Sequence, residues 1–113
     1  MTDALLNQDA TALAAAIKAR KVSSLEVTEA CLAAAARLQP ALNCFIRIDH
    51  DQAIAQARAI DGELAKGTVR GPLAGVPLAH KDMYYRAGEV TTCGSKIRRH
   101  GITSSRCSAS IIA

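Results

Sequence analysis

A lysine followed directly by an aspartate lies near the middle of this chain, at the end of a short apolar segment. Lys81 and Asp82 close residues 71–82, which begin as a Gly/Pro-rich turn and continue as an apolar run over 76–81. An ammonium group at the end of an apolar strand can lose its hydration, and desolvation makes lysine a usable base. Lys81 is therefore a candidate general base. The alternative is a solvated lysine at a strand end.

A second polar cluster, Thr91-Thr92-Cys93-Gly94-Ser95, follows soon after. Its hydroxyl groups could act as a nucleophile or assist one, although serine and threonine beside glycine most often form turns. The glycines of the 71–75 turn do not form a phosphate loop, because no lysine follows the second of them. His80 and Asp82 could share a metal ion, but without a third ligand a hydrogen-bonded histidine explains the pattern better.

Two helices with N-terminal caps are predicted to open the chain. Asp9 is a preferred N-cap residue and predicts a helix over residues 10–19. Ser23 and Glu26 have the spacing of a capping box and open a second helix, which is predicted to run to about Leu38. Helices are therefore expected ahead of the lysine.

The segment between the second helix and Lys81 contains a third helix and a strand. Pro40 is predicted to stop the second helix, and Phe45 is the expected anchor of a short extended segment after it. Apolar residues at helical spacing predict a third helix over 51–66 with Gly67 as its stop. Residues 76–81 read as a strand.

The composition is that of one small domain with few large side chains for its core. The chain has 113 residues, half of them hydrophobic, but just one phenylalanine and two tyrosines. Its net charge of +4 is uneven, because acidic and basic residues balance over the first 95 positions. The excess positive charge comes from four basic residues, which are Lys96, Arg98, Arg99 and Arg106. A basic patch can indicate nucleic-acid binding, but this one lacks interleaved aromatic residues, so nucleic-acid binding is not expected.

The cysteines and the hydropathy indicate a reduced, soluble setting. The four cysteines form no metal-binding spacing, so we expect reduced thiols packed as small hydrophobic residues; they are Cys31, Cys44, Cys93 and Cys107. Asp3 stands where a secretory signal would carry basic residues. No apolar run approaches membrane-spanning length. A cytoplasmic protein without a membrane partner is the expectation.

The two motifs together resemble the start of the amidase signature family. The resemblance rests on the 71–77 turn with the Lys81-Asp82 pair, on Gly88 and on the Thr-Thr-x-Gly-Ser pattern of residues 91–95, and it covers about residues 5–99. It implies an α/β fold, of which residues 1–99 would supply the N-terminal helices and the first strand or strands of the sheet. That portion would end before the family's serine-rich signature.

The resemblance also implies a chemistry and a set of site residues. Members of the family hydrolyse or transfer amide groups with a Ser–cis-Ser–Lys triad. By this resemblance Lys81 matches the catalytic lysine, Asp82 supports it, and Thr92, Gly94 and Ser95 shape the site. The resemblance implies a small-molecule amide as substrate and implies no cofactor or metal. It does not decide whether the protein forms a homodimer.

Three functional alternatives follow from the same residues. The amino-acid sequence around His80 and over residues 83–86 favours a stand-alone amidase over the A subunit of a tRNA-dependent amidotransferase. The alanine-rich helices and the basic tail would also suit a non-catalytic helical interaction module. These alternatives differ in their partners, since an amidotransferase A subunit assembles with other subunits and a stand-alone amidase does not.

The C-terminal residues depart from the family pattern. The Gly/Ser-rich signature with the cis-serine, the nucleophile and the oxyanion-hole amides does not occur before Ala113, and Ser108 and Ser110 lack its flanking glycines. We hypothesise a frameshift or premature stop near residue 100, with 100–113 a divergent or disordered tail. A chain with a base but no nucleophile is expected to be inactive alone.

Overall fold

Four α-helices account for about half of the described residues. The computed structural model describes residues 2–100, and the side chains of residues 4–99. The helices are α1 (Thr2–Leu6), α2 (Ala10–Lys18), α3 (Ser24–Leu42) and α4 (His50–Ala65), and a 3₁₀ turn covers Arg98–His100. The chain divides into two compact units, one ending at Pro77 and the other beginning at Leu78. No helix within residues 2–100 is long and apolar enough to cross a membrane.

Both predicted N-terminal caps are confirmed. The Asp9 carboxylate accepts a hydrogen bond from the backbone N–H of Ala12 at 2.7 Å. At the start of α3 the Ser23 hydroxyl accepts from the Glu26 N–H at 3.0 Å, and the Glu26 carboxylate accepts from the Ser23 N–H at 2.8 Å. The Ser23 backbone N–H also lowers the pKa of Glu26. Each cap satisfies backbone donors that the first helical turn leaves without partners.

The prediction that Pro40 stops the second helix is wrong, because α3 continues through it to Leu42. Pro40 lies in the last turn, where its missing N–H removes one hydrogen bond close to a helix end. The chain after it is held by the Gln39 carboxamide, which donates to the Phe45 carbonyl at 2.7 Å and accepts from the Phe45 N–H at 3.0 Å. Phe45 is thus anchored through its backbone, and its side chain is half-buried.

The helices of the first unit share one apolar core. α3 packs against α4 and against α1. Side chains from α2, α3 and α4 meet there with one residue that follows the 71–75 turn; the buried set is Leu13, Ala14, Ile17, Val27, Leu64 and Val76. Cys31 packs partly against this core, and burial raises the pKa of its thiol. The expectation of a reduced, packed thiol is therefore confirmed for Cys31.

Buried polar contacts join the start of α3 to α4 and to the 71–75 turn. The Asp61 carboxylate accepts from the backbone N–H groups of Ser24 at 2.8 Å and Leu25 at 3.0 Å. The buried Ser24 hydroxyl donates to the Gly75 carbonyl at 2.8 Å. Gly75 has φ +86°, and a Cβ there would lie 3.0 Å from Ile17 Cγ2. These contacts hold the turn that leads toward Val76.

The predicted strand over 76–81 does not form in the described part of the chain. Residues 76–81 adopt an irregular conformation, and only single bridge residues, Ala87 and Val90, have β character within residues 2–100. A strand is stabilised by a ladder of hydrogen bonds to a neighbouring strand, and the described residues offer none. The helical half of the α/β expectation is therefore present here, whereas the sheet is not. The tail predicted beyond residue 100 lies outside the described residues.

Candidate functional site

The Lys81-Asp82 pair opens a tight turn in the second unit. The Lys81 carbonyl accepts hydrogen bonds from the N–H groups of Met83 at 2.7 Å and Tyr84 at 3.3 Å. The Lys81 side chain is exposed, and its ammonium group makes no hydrogen bond within the described residues. The desolvated environment expected for this lysine is therefore not provided by residues 78–100.

Asp82 and Thr92 are joined by two hydrogen bonds. The Asp82 carboxylate accepts from the Thr92 N–H at 2.9 Å with one oxygen and from the Thr92 hydroxyl with the other. The hydroxyl and then the amide of Thr92 lower the pKa of Asp82 because both stabilise the ionised carboxylate. This residue pair thus links the two segments that the sequence singled out.

Residues 92–95 form a turn with a left-handed backbone at its two central positions. Cys93 has φ +50° and Gly94 has φ +76°, and the Ser95 N–H donates to the Thr92 carbonyl at 2.9 Å. Positive φ at both central residues is the pattern of a type I′ turn, which glycine accepts without strain. Left-handed backbone costs Cys93 roughly 1–2 kcal/mol, so its surroundings must compensate.

Further hydrogen bonds fasten this turn to the lysine segment. The Cys93 N–H donates to the Asp82 carbonyl at 3.1 Å, and the Gly94 N–H donates to the Thr92 hydroxyl at 3.2 Å. The neighbouring Thr91 is buried and donates its hydroxyl to the Tyr84 carbonyl at 3.0 Å. Polar contacts therefore join residues 82–84 to residues 91–94.

The structure brings together four of the five predicted site residues. Asp82, Thr92, Gly94 and Ser95 share one hydrogen-bonded cluster, whereas Lys81 is linked to it only as the neighbour of Asp82 along the chain. His80 contacts Tyr84 edge to face, with ring centroids 6.4 Å apart. No group of three or more potential metal ligands occurs within the described residues.

Arg98 and Tyr85 belong to the same cluster but were not predicted from the sequence. The Arg98 guanidinium donates from Nη1 to Cys93 Sγ at 3.3 Å and from Nη2 to the Tyr85 hydroxyl at 3.0 Å. Its charge was attributed to a basic tail, and no spacing rule links these three side chains. Cys93 and Cys44 are exposed, so the expectation of packed thiols is wrong for both.

Comparison with known proteins identifies relatives of this chain. The Amidase family model matches residues 26–109 and so extends beyond residue 99. The A subunit of glutamyl-tRNA(Gln) amidotransferase from Acidothermus cellulolyticus is 52% identical over 93 residues, which are 82% of this chain and 18% of that protein. The proteins of the same name from Aromatoleum aromaticum and Methylococcus capsulatus are 47% and 51% identical, over 82% and 75% of this chain and 19% and 17% of their own lengths.

The chain spans less than a fifth of the length of these three relatives. No solved structure matches it. The family match nevertheless covers most of the chain, and it includes both the Lys81-Asp82 pair and the turn at residues 92–95. On these grounds the chain belongs to the Amidase family.

Proposed function

We propose that this chain supplies the catalytic base of a cytoplasmic enzyme that acts on carbon–nitrogen bonds of amides. Lys81 would accept the proton of a nucleophilic serine through a second serine, as the resemblance to the amidase signature family implies. Asp82 would hold the lysine segment, and Thr92, Gly94 and Ser95 would shape the adjacent surface. No residue of this chain is assigned the role of either serine.

The observation that carries this proposal is the Asp82–Thr92 contact. Both carboxylate oxygens accept hydrogen bonds from Thr92, and Asp82 forms no salt bridge with the neighbouring ammonium group of Lys81 within the described residues. A lysine that is not neutralised by its own neighbour is free to respond to a substrate or to a serine hydroxyl. This arrangement suits a general base better than a structural ion pair.

The exposure of Lys81 defines what the rest of the enzyme must do. Lysine becomes an effective base near neutral pH when burial or a nearby cation disfavours its charged form. Residues 78–100 leave the Lys81 side chain exposed. We propose that further protein, in an enzyme of the length of the relatives, covers this side chain and removes its water.

A chimera tests the role of Lys81. The matching segment of the A. cellulolyticus protein would be replaced by this chain, and ammonia release from glutamine and from benzamide would be measured. We expect Lys81→Met to lower kcat at least ~10³-fold, because loss of a triad member removes most of the chemical acceleration. The matched control is Lys96→Met, an exposed lysine of the same unit, which should stay within about twofold of the unmodified chimera.

The outcome that would contradict the proposal is an active chimera in which both lysine variants have the same kcat. The chain by itself serves as a further control. We expect it to release no ammonia from either amide, because a base without a nucleophile and oxyanion-stabilising donors cannot complete the reaction. Turnover by the chain alone that is lost in Lys81→Met would contradict this part.

The A subunit of a tRNA-dependent amidotransferase is the second candidate. The observation in its favour is that the relatives from three different organisms carry this name. In that role the protein would work with partner subunits, whereas a stand-alone amidase would not. Sequencing the genes beside the coding DNA distinguishes the two: adjacent genes for the partner subunits support the amidotransferase, and genes of unrelated pathways support the amidase.

A further inference from the structure

We propose that Arg98 is a positioning residue, which holds the 92–95 turn against the segment that follows Lys81. The proposal concerns a contact in the second unit that neither the family resemblance nor the relatives assign. Its meaning for catalysis rests on the function proposed above, but the contact itself is tested without any turnover. The reasons are the geometry of Arg98, the conformation of Cys93 and the lack of a competing partner.

One guanidinium joins two segments of the chain. Nη1 of Arg98 donates to Cys93 Sγ at 3.3 Å, and Nη2 donates to the Tyr85 hydroxyl at 3.0 Å. Because the guanidinium is planar and its nitrogens have a fixed separation, the two acceptors are held in a defined relative position. A lysine ammonium could occupy one of these positions but could not reproduce the fork.

The contact completes a ring of hydrogen-bonded residues that includes Asp82. The Cys93 N–H donates a hydrogen bond to the Asp82 carbonyl at 3.1 Å, and the Cys93 sulfur accepts a hydrogen bond from Arg98. Arg98 also donates a hydrogen bond to the Tyr85 hydroxyl, and Tyr85 is connected to Asp82 through residues 83–84 of the chain. Cys93 is therefore fastened through both its backbone and its side chain.

The backbone of Cys93 explains why such a hold is needed. Its φ of +50° is in the left-handed region, which residues with a side chain rarely adopt unless their surroundings determine it. Residues 78–99 provide little packing for this purpose, since Thr91 is the only buried residue among them. Polar contacts such as those of Arg98 must therefore supply much of the restraint.

No stronger partner competes for this guanidinium. Arg98 forms no salt bridge with a carboxylate in the described part of the chain, and its side chain is half-buried. The Tyr85 hydroxyl accepts its hydrogen bond and raises the pKa of Arg98. The adjacent Arg99 is exposed and places its positive charge near Asp82 without a hydrogen bond to Cys93 or Tyr85, so Arg99→Met controls for the loss of a charge at this place.

The two tyrosines allow a direct spectroscopic test on the full chain. Tyr84 and Tyr85 are its only tyrosines, so a ¹³Cζ-tyrosine label gives two resonances. Arg98→Met should shift the Tyr85 signal and leave that of Tyr84 in place, because the Arg98 fork reaches the Tyr85 hydroxyl. Arg99→Met should move neither signal. An unshifted Tyr85 resonance in Arg98→Met would overturn the proposal.

Hydrogen exchange of the Cys93 amide tests the positioning itself. We expect Arg98→Met and Arg98→Lys each to speed exchange of this amide about threefold to tenfold, because each variant loses one or two hydrogen bonds. In Arg99→Met the exchange rate of the same amide should stay within about twofold of the parent. Tyr85→Phe should also speed exchange in the parent chain, but should add nothing in Arg98→Met. Additive effects of the two substitutions would indicate unrelated structural roles and would contradict the proposal.

Two features keep the outcome interpretable. All four α-helices of the described residues lie in the first unit, so a loss of helix content measured by circular dichroism would reveal a general loss of folding. Tyr85→Phe changes a single hydroxyl group and provides a second, milder variant. Since none of these measurements depends on amide hydrolysis, failure of the Lys81 experiment and failure of the Arg98 experiment would be told apart.

Discussion

At the scale of single residues, Asp82 determines how the two sequence motifs are combined. Its carboxylate binds the amide and the hydroxyl of Thr92, and its carbonyl accepts from Cys93. The residue types and the order of both motifs were recognised from the sequence. Which side chains pair was not, because hydrogen-bond partners across a loop depend on how the intervening residues fold. The Arg98 contacts were missed for the same reason.

The titration of Asp82 is a prediction at this scale. Because Thr92 stabilises the carboxylate, the pKa of Asp82 is lowered from its ordinary value of 3.8. This contact therefore stabilises the second unit fully above that ordinary value, and the stabilisation is lost as the pH falls through the lowered pKa. We expect Thr92→Val to raise the midpoint of the Asp82 ¹³Cγ titration, measured by NMR.

Glu26 is the internal control for this titration. Its pKa is also lowered, but by Ser23, so Thr92→Val should leave its midpoint unchanged. If the Asp82 midpoint is the same in the parent and in Thr92→Val, the Thr92 contact does not stabilise the carboxylate. A shift of both midpoints would indicate a general change in the protein rather than a local one.

At the scale of elements, helices were predictable and their connections were less so. Caps and apolar spacing are local signals, and they predicted α2 and α4 to within about a residue at each end. The end of α3 was not predictable from Pro40, because the Gln39 side chain supports the segment beyond it. The prediction of a strand over 76–81 is wrong, because a strand needs a neighbouring strand to pair with, and the local sequence does not supply one.

Gly75 offers a prediction for the turn that follows α4. It combines φ +86° with a close approach to Ile17 and Ser24, so alanine there would meet both strain and overlap. We expect Gly75→Ala to lower the free energy of unfolding of the first unit by about 2–5 kcal/mol. Urea denaturation followed by circular dichroism would measure this change.

Two other glycines separate the causes of this effect. Gly67 has φ +84° but open space around its Cβ position, so Gly67→Ala should cost only the backbone strain, about 1–2 kcal/mol. Gly62 lies within α4, and Gly62→Ala should stabilise by about 0.5–1 kcal/mol. A Gly75→Ala cost no larger than that of Gly67→Ala would show that the contact with Ile17 is unimportant.

At the scale of the whole molecule, the two units differ in how they are held together. The first unit has an apolar core formed by α2, α3, α4 and Val76. Residues 78–99 have one buried residue, and several of their large apolar side chains are exposed, including Ile97 at 88%. Burial of apolar surface is the main source of stability, so the units should differ in their resistance to opening.

Native-state hydrogen exchange tests this difference. We expect the slowest amides in α2, α3 and α4 to exchange at least about tenfold more slowly than any amide of residues 78–100, because local opening is easiest where few apolar contacts break. NMR on the intact chain gives both sets in one experiment. Equal protection of the two sets would contradict the prediction, as it would require a core that residues 78–99 do not contain.

The sequence alone determined α2, α4, the start of α3, the turn at 71–75 and the two motifs that resemble the family, because these depend on residue type and short spacing. Tertiary structure decided which groups meet: Asp61 at the start of α3, Thr92 on Asp82, and Arg98 between Cys93 and Tyr85. It also decided that Lys81 is exposed in the described chain and that 76–81 forms no strand. The physical reason is that solvation and hydrogen-bond pairing depend on neighbours distant in sequence.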